Sequence, residues 1–126
     1  MRLNQVTVPA LDLEKSVAFY QTLGFHMIVK NDHYARFEIL DGLATFSLEL
    51  ADNLGDVGKG AHICFECDDL DARVAELKAK GIEFDSDPED KRWLWREAWL
   101  SDPSGVKLCL YRAGENRRFP PWRLKD

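Results

Sequence analysis

The chain repeats itself. An offset of 57 residues carries Gln5 onto His62, Asp12 onto Asp69, Leu13 onto Leu70, Val17 onto Val74, Ala18 onto Ala75 and Gly24 onto Gly81. Each copy opens with an alternating stretch, passes an acidic residue placed to cap a helix, and ends that helix at a glycine. Caps, apolar faces and spacing all agree. A period near half the chain means that each copy is one supersecondary unit, whose helix buries its apolar face against its own strands.

The second copy is the most legible. In Gly60 to Phe84, His62, Cys64 and Glu66 alternate with Ile63, Phe65 and Cys67, the period of a half-buried strand. Asp69 then precedes Leu70, Val74 and Leu77, which share one helix face, with Asp69 placed to cap the first turn. Lys78 and Lys80 stand in the last turn and Gly81 follows it. The apolar faces of strand and helix cover each other, leaving His62, Cys64 and Glu66 on the opposite strand face.

Elsewhere the pattern predicts strands over Leu3 to Val8, Phe25 to Lys30, Tyr34 to Leu40 and Ala44 to Leu50, with Asp41-Gly42 as a hairpin turn. The first helix follows Asp12, with Leu13, Val17, Phe19, Tyr20 and Leu23 on one side. Asp52 to Gly60 reads as a linker. Further strands are predicted over Ile82 to Asp85, Trp95 to Ser101 and Lys107 to Tyr111, the last two joined by Asp102-Pro103-Ser104-Gly105. The fold class is therefore α+β: two tandem βαβββ units, residues 1–51 and 60–112, forming a curved mixed sheet around a cleft, with a basic, proline- and aromatic-rich tail over 113–126. The strand parity opposite the helices gathers Gln5, Thr7, Thr45, Ser47, Glu49, His62, Cys64, Glu66, Lys107, Cys109 and Tyr111, the polar set expected to line the cleft.

A net charge of −5 argues against a nucleic-acid partner, because phosphate binding needs a concentrated basic surface. No run approaches the ~20 apolar residues that span a bilayer, and Met1 to Gln5 lacks the apolar core of a signal peptide. The three cysteines have no disulfide-framework spacing. On a strand, the Cys64 and Cys67 side chains point to opposite faces, a poor zinc knuckle. A reducing, cytoplasmic location is the simplest expectation.

The stretches Asp12-Leu13-Glu14-Lys15-Ser16-Val17-Ala18-Phe19-Tyr20 with Leu23-Gly24-Phe25, His62-Ile63-Cys64-Phe65-Glu66-Cys67-Asp68-Asp69-Leu70, and Asp102-Pro103-Ser104-Gly105 resemble the vicinal oxygen chelate superfamily. That superfamily comprises glyoxalase I, bleomycin-resistance proteins, fosfomycin-resistance enzymes and extradiol dioxygenases. The resemblance covers nearly the whole chain and implies paired βαβββ units around a metal or ligand cleft, usually in a homodimer. It places a metal set on His62, Glu49, Gln5 and Cys109, for a divalent ion such as Zn, Ni, Mn, Fe or Co. His62 matches the second-unit histidine, and Gln5 stands where most members have a first histidine. Glu49 matches the glutamate that ends the first unit. Cys109 stands at the second glutamate, which in glyoxalase-like members is both ligand and proton-transfer base. A metal-bound thiolate is a poor proton shuttle, so ordinary glyoxalase I activity is not expected, and no catalytic residue is assigned.

Each candidate has a plain alternative. Gln5 also reads as a polar strand residue, Glu49 as a surface carboxylate, His62 as a hydrogen-bonded cleft histidine, and Cys109 as a buried small apolar side chain. Trp93, Trp95 and Trp99 fall in seven residues. They form either a core strand or an aromatic wall in which Trp95, Arg96 and Trp99, with Cys64 and Tyr111, hold a small-molecule ligand. Two functions stay open at this point. One is a divalent-metal-dependent lyase, isomerase or transferase acting on a small oxygenated substrate. The other is a metal-free drug- or metabolite-binding protein of the bleomycin-resistance type.

Overall fold

A computed structural model describes residues 2–55 and 60–125, and the linker expected over residues 56–59 lies outside them. Two compact units emerge: Met1–Ala61 with Asp102–Val106, and His62–Ser101 with Lys107–Asp126.

The first unit contains β1 (Gln5–Ala10), α1 (Leu13–Thr22), β2 (His26–Lys30), β3 (Tyr34–Glu38) and β4 (Thr45–Leu50). Its sheet runs β1-β4-β3-β2, with β1 parallel to β4 and the other neighbours antiparallel. Asp12 caps α1 as its position predicts, its carboxylate accepting from the Lys15 amide at 3.1 Å. Gly24 follows with φ 98°, a left-handed conformation that a side chain would oppose. Leu13, Val17 and Tyr20 on α1 bury themselves against Val8, Ala35, Phe37, Phe46 and Leu48 of the sheet. The tip between β3 and β4 is wider than a two-residue Asp-Gly hairpin: pairing stops at Glu38 and resumes at Thr45. Leu40 and Leu43 in that tip are largely exposed, so no apolar burial extends the strands into it.

The second unit contains β5 (His62–Glu66), α2 (Leu70–Ala79), β6 (Glu89–Asp90), β7 (Arg96–Ser101) and β8 (Lys107–Arg112), then a 3-10 turn over Gly114–Arg117. Its sheet, β5-β8-β7-β6, has the same order as the first. Leu70, Val74 and Leu77 are buried together with Ala98, Leu100, Leu108 and Leu110.

Three local expectations change. Asp69 precedes α2 but makes no side-chain capping hydrogen bond; its φ of −105° and ψ of 47° differ from the extended conformation of Asp12. Ile82 to Asp85 forms no strand. The amides of Asp85 and Ser86 both converge on the Trp99 carbonyl, which breaks a regular ladder, and Pro88 has no amide to donate. The tryptophan stretch does not run as one strand from Trp93, because Leu94 adopts φ 68° in the turn before β7. In the tail, Phe119 and Trp122 are each more than half exposed, with the Arg123 guanidinium 4.5 Å from the Phe119 ring centre.

Candidate functional site

In the first unit the polar sheet face is a closed hydrogen-bond network. Gln5 Nε2 donates to Ser47 Oγ at 2.8 Å and to Thr7 Oγ1 at 3.1 Å, and Gln5 Oε1 accepts from the Thr45 hydroxyl. The Tyr34 hydroxyl lies 2.7 Å from Ser47 Oγ and accepts from Arg36 Nε at 2.9 Å. Ser47 is fully buried. Tyr34 and Arg36 were missed in the sequence reading, although the alternation Tyr34-Ala35-Arg36-Phe37-Glu38 carries the signal that would have found them.

The ladder also fixes where Glu49 stands. β1 and β4 pair Gln5 with Thr45 and Pro9 with Glu49. Glu49 is thus four residues, roughly 13 Å, along β4 from the residue opposite Gln5. In the second unit β5 and β8 pair His62 with Lys107 and Cys64 with Cys109. Matching the two ladders step by step puts Thr45 with Lys107, Ser47 with Cys109 and Glu49 with Tyr111. The residue related to Gln5 as Cys109 is to His62 is therefore Ser47. The structure does not bring Gln5 and Glu49 together.

The polar face of the second unit is built around aromatic rings. His62 meets Trp99 edge-on, ring centres 5.0 Å apart. Trp95 stacks on Tyr111 at 4.3 Å with an interplanar angle of 14°. Both tryptophans pack on the buried group Cys109, Tyr111 and Ala113. Glu97, 5% exposed, accepts from the indole of Trp93 at 2.6 Å through one carboxylate oxygen and from that of Trp99 at 3.0 Å through the other. Glu66 accepts from the Ala113 and Gly114 amides at 2.7 and 2.8 Å, fixing the chain as it leaves β8.

Cys64 and Cys109 differ although they are ladder partners: Cys64 is exposed and Cys109 is buried. A hydrogen bond from the Cys109 thiol, with help from the nearby His62, lowers the Cys64 pKa to about 7 against the opposing effects of burial and Glu97. The same contact, then burial, pushes the Cys109 thiol up.

Arg96 is already engaged. Its guanidinium forks onto Asp71 of α2 at 2.8 and 3.0 Å and reaches Asp90 at 3.1 Å. That geometry holds the Asp71 carboxyl below the usual carboxylate range. Beside it, a cavity of about 530 Å³ opens at the C-terminal end of β8, lined among others by Lys91, Trp95, Arg96, Arg112, Gly114 and Asn116. Among the described residues the Arg112 guanidinium makes no side-chain hydrogen bond or ion pair, though its charge helps to hold the Asp71 carboxyl down. This cavity is not at His62: Arg112 lies five residues, roughly 16 Å, along β8 from His62's partner Lys107. Of the ligand-binding residues expected from sequence, Trp95 and Arg96 line it, Tyr111 backs the Trp95 ring, and Cys64 and Trp99 lie nearer His62.

The donor set does not fit the divalent ion that the family pattern implies. In the first unit, Gln5 and Ser47 offer neutral oxygens that already bond each other's network. In the second, His62 is accompanied by the buried Cys109 thiol in place of a carboxylate. Within neither unit do three or more His, Cys, Asp or Glu side chains of the described residues gather as ligands. None of the described helices is long and apolar enough to cross a membrane.

Similar proteins share this architecture. A glyoxalase/bleomycin resistance protein/dioxygenase from Nocardioides superposes with a TM-score of 0.76 at 23% identity, covering 99% of this chain and 90% of its own. The bleomycin resistance determinant encoded on the transposon Tn5 gives 0.71 at 25% identity, covering 89% and 98%. Lactoylglutathione lyase from Agrobacterium tumefaciens gives 0.72 at 19% identity, covering 98% and 97%. The sequence profile of the Glyoxalase/Bleomycin resistance protein/Dioxygenase superfamily matches residues 2–110, and with a four-stranded sheet of the same order in each unit the chain belongs to that superfamily.

Proposed function

We propose that this chain is a small-molecule-binding member of the superfamily that works without a divalent metal. It takes a ligand with a flat ring and an anionic group at the end of β8. The observation that carries the metal-free reading is the pair of side chains, Ser47 and Cys109, at equivalent ladder steps where the family pattern implies carboxylates. The likeness to the Tn5 bleomycin resistance determinant supports a binding role. In the cavity, Trp95 offers a ring braced from behind by Tyr111, while Arg112 and Lys91 supply positive charge. The braced ring loses little freedom when a second ring stacks on it, and a guanidinium with no side-chain hydrogen bond of its own can fork onto a carboxylate or sulfonate. The homodimer implied by the family belongs to the same proposal, and light scattering tests it.

Two measurements test the reading. Metal analysis of untagged protein, with Zn, Ni, Mn, Fe and Co added back after chelation, should find no stoichiometric metal and no rise in melting temperature. Near-stoichiometric metal that is lost in a His62→Ala variant would instead establish the metal-dependent reading. Titration with anilinonaphthalene sulfonate, a flat aromatic anion, should quench tryptophan emission. Trp95→Ala and Arg112→Ala should each weaken binding by about ten-fold, the loss of one stacking or charge-assisted contact. Unchanged binding in both variants would remove the cavity from the proposal.

A further inference from the structure

Cys64 and Cys109 stand directly opposite each other in the parallel β5–β8 ladder. Neighbouring strands lie about 4.8 Å apart, inside the roughly 4.4–6.8 Å range of Cα separations that a disulfide spans. Ladder partners project to the same sheet face, so the two sulfurs share one side. Neither is in a disulfide.

The pair is asymmetric in access. Cys109 is 1% exposed beneath the Trp95 and Trp99 rings, whereas Cys64 faces solvent. An oxidant arriving from water therefore meets Cys64 first, with Cys109 opposite it on the neighbouring strand. Cys67 is three residues on, on the opposite parity, and its sulfur lies near the Phe65 carbonyl.

We propose that Cys64 and Cys109 form a hydroperoxide-reactive thiol pair, Cys64 attacking and Cys109 resolving. The Cys64 sulfur attacks the terminal oxygen of the peroxide. The O–O bond breaks, an alcohol or water leaves with a proton, and Cys64 becomes a sulfenic acid, oxidised by the two electrons that reduce the peroxide. The Cys109 sulfur then attacks the Cys64 sulfur. The S–O bond breaks, hydroxide leaves with the Cys109 proton as water, and the S–S bond forms. Two thiols and one hydroperoxide give one disulfide, one alcohol or water, and one water. Because the partner is preplaced, the second step precedes further oxidation of Cys64.

The test treats the reduced protein with about a ten-fold excess of hydrogen peroxide, enough to drive a sulfenic acid to form, and reads intact mass and peptide maps. The expected result is a loss of about 2 mass units, the two hydrogens given up by two thiols, in a Cys64–Cys109 linked peptide that dithiothreitol reverses. Cys64→Ser should show no mass loss. Cys109→Ser should stop at a sulfenic acid on Cys64, captured by dimedone, and Cys67→Ser should behave as wild type. An unchanged mass, a link through Cys67, a covalent dimer, or modification of Cys109 ahead of Cys64 would each overturn the proposal. The wild-type peptide map decides it even where the Cys109 variant does not fold.

Discussion

Replacing Tyr20 with phenylalanine removes one oxygen from the core of the first unit and should cost about 2 kcal/mol. The Tyr20 hydroxyl donates to Asp102 Oδ2 at 2.8 Å, while the other oxygen, Oδ1, accepts from the Ser104 and Val106 amides at 2.9 Å each. Both residues are buried, so water cannot replace the lost donor freely. The ring itself stays packed, 4.6 Å from Phe46 and 5.1 Å from Phe19, so the variant opens almost no cavity. What remains is one hydrogen bond to a buried charged acceptor, worth about 1.5–3 kcal/mol. For a chain of this length that is a fall of roughly 6–10 °C in melting temperature. Urea unfolding at pH 7 should move the midpoint down without changing the slope. The pairing is tested by a cycle: in an Asp102→Ala background the same Tyr20 substitution should cost close to nothing. Burial first, then the Asp102 charge, raises the Tyr20 pKa above its usual 10. The stability this tyrosine contributes is therefore fully present below pH 10 and is lost as the pH climbs beyond it, so the gap to the phenylalanine variant narrows in alkali. A loss under about 0.5 kcal/mol at pH 7, or additivity in the cycle, would refute the reasoning.

The two helix caps should separate on mutation: Asp12→Ala should cost about 1 kcal/mol in urea unfolding and Asp69→Ala distinctly less, because only Asp12 makes the capping bond. Alkylation of Cys64 by iodoacetamide, followed by mass mapping, should rise through an inflection near pH 7, where its thiolate appears, and this inflection should move up in Cys109→Ala, which removes the donor. Glu97→Gln keeps the shape but can accept an indole proton at only one terminal atom, so one tryptophan loses its partner. Stability should fall by about 1 kcal/mol, discounted because Trp93 is partly exposed, and tryptophan emission should shift; an unchanged spectrum would count against both indole contacts.

The repeat made the architecture legible because helix caps and apolar faces are written in adjacent residues. Asp12, Leu13, Val17 and Gly24 act within one turn of where they stand, and the structure uses them as their spacing implies. Register is a different kind of information. The offset of 57 that aligns the first strands grows to 62 at the last strands, Thr45 matching Lys107, because the second unit inserts a longer connection between α2 and β7. An alignment on sequence alone selects Glu49 for its carboxylate, whereas the ladder puts Ser47 at the step equivalent to Cys109. Around the tryptophans the backbone departs from a strand at Leu94, whose left-handed conformation nothing in a leucine announces, yet the Trp93 and Trp99 indoles still meet at Glu97. The tie of Arg96 to Asp71, 25 residues away, is invisible to local pattern.

Glu66 gives the second unit a built-in reporter. Its carboxylate holds the amides of Ala113 and Gly114, the first residues beyond β8, so those two protons are shielded only while β5 is seated beside β8. In hydrogen–deuterium exchange they should slow and quicken together with the β5 amides, although some fifty residues separate them along the chain. A ligand that settles against the neighbouring cavity would then register first as two slowed amides in the tail, and a worker with no assay for this protein would still have a site to watch.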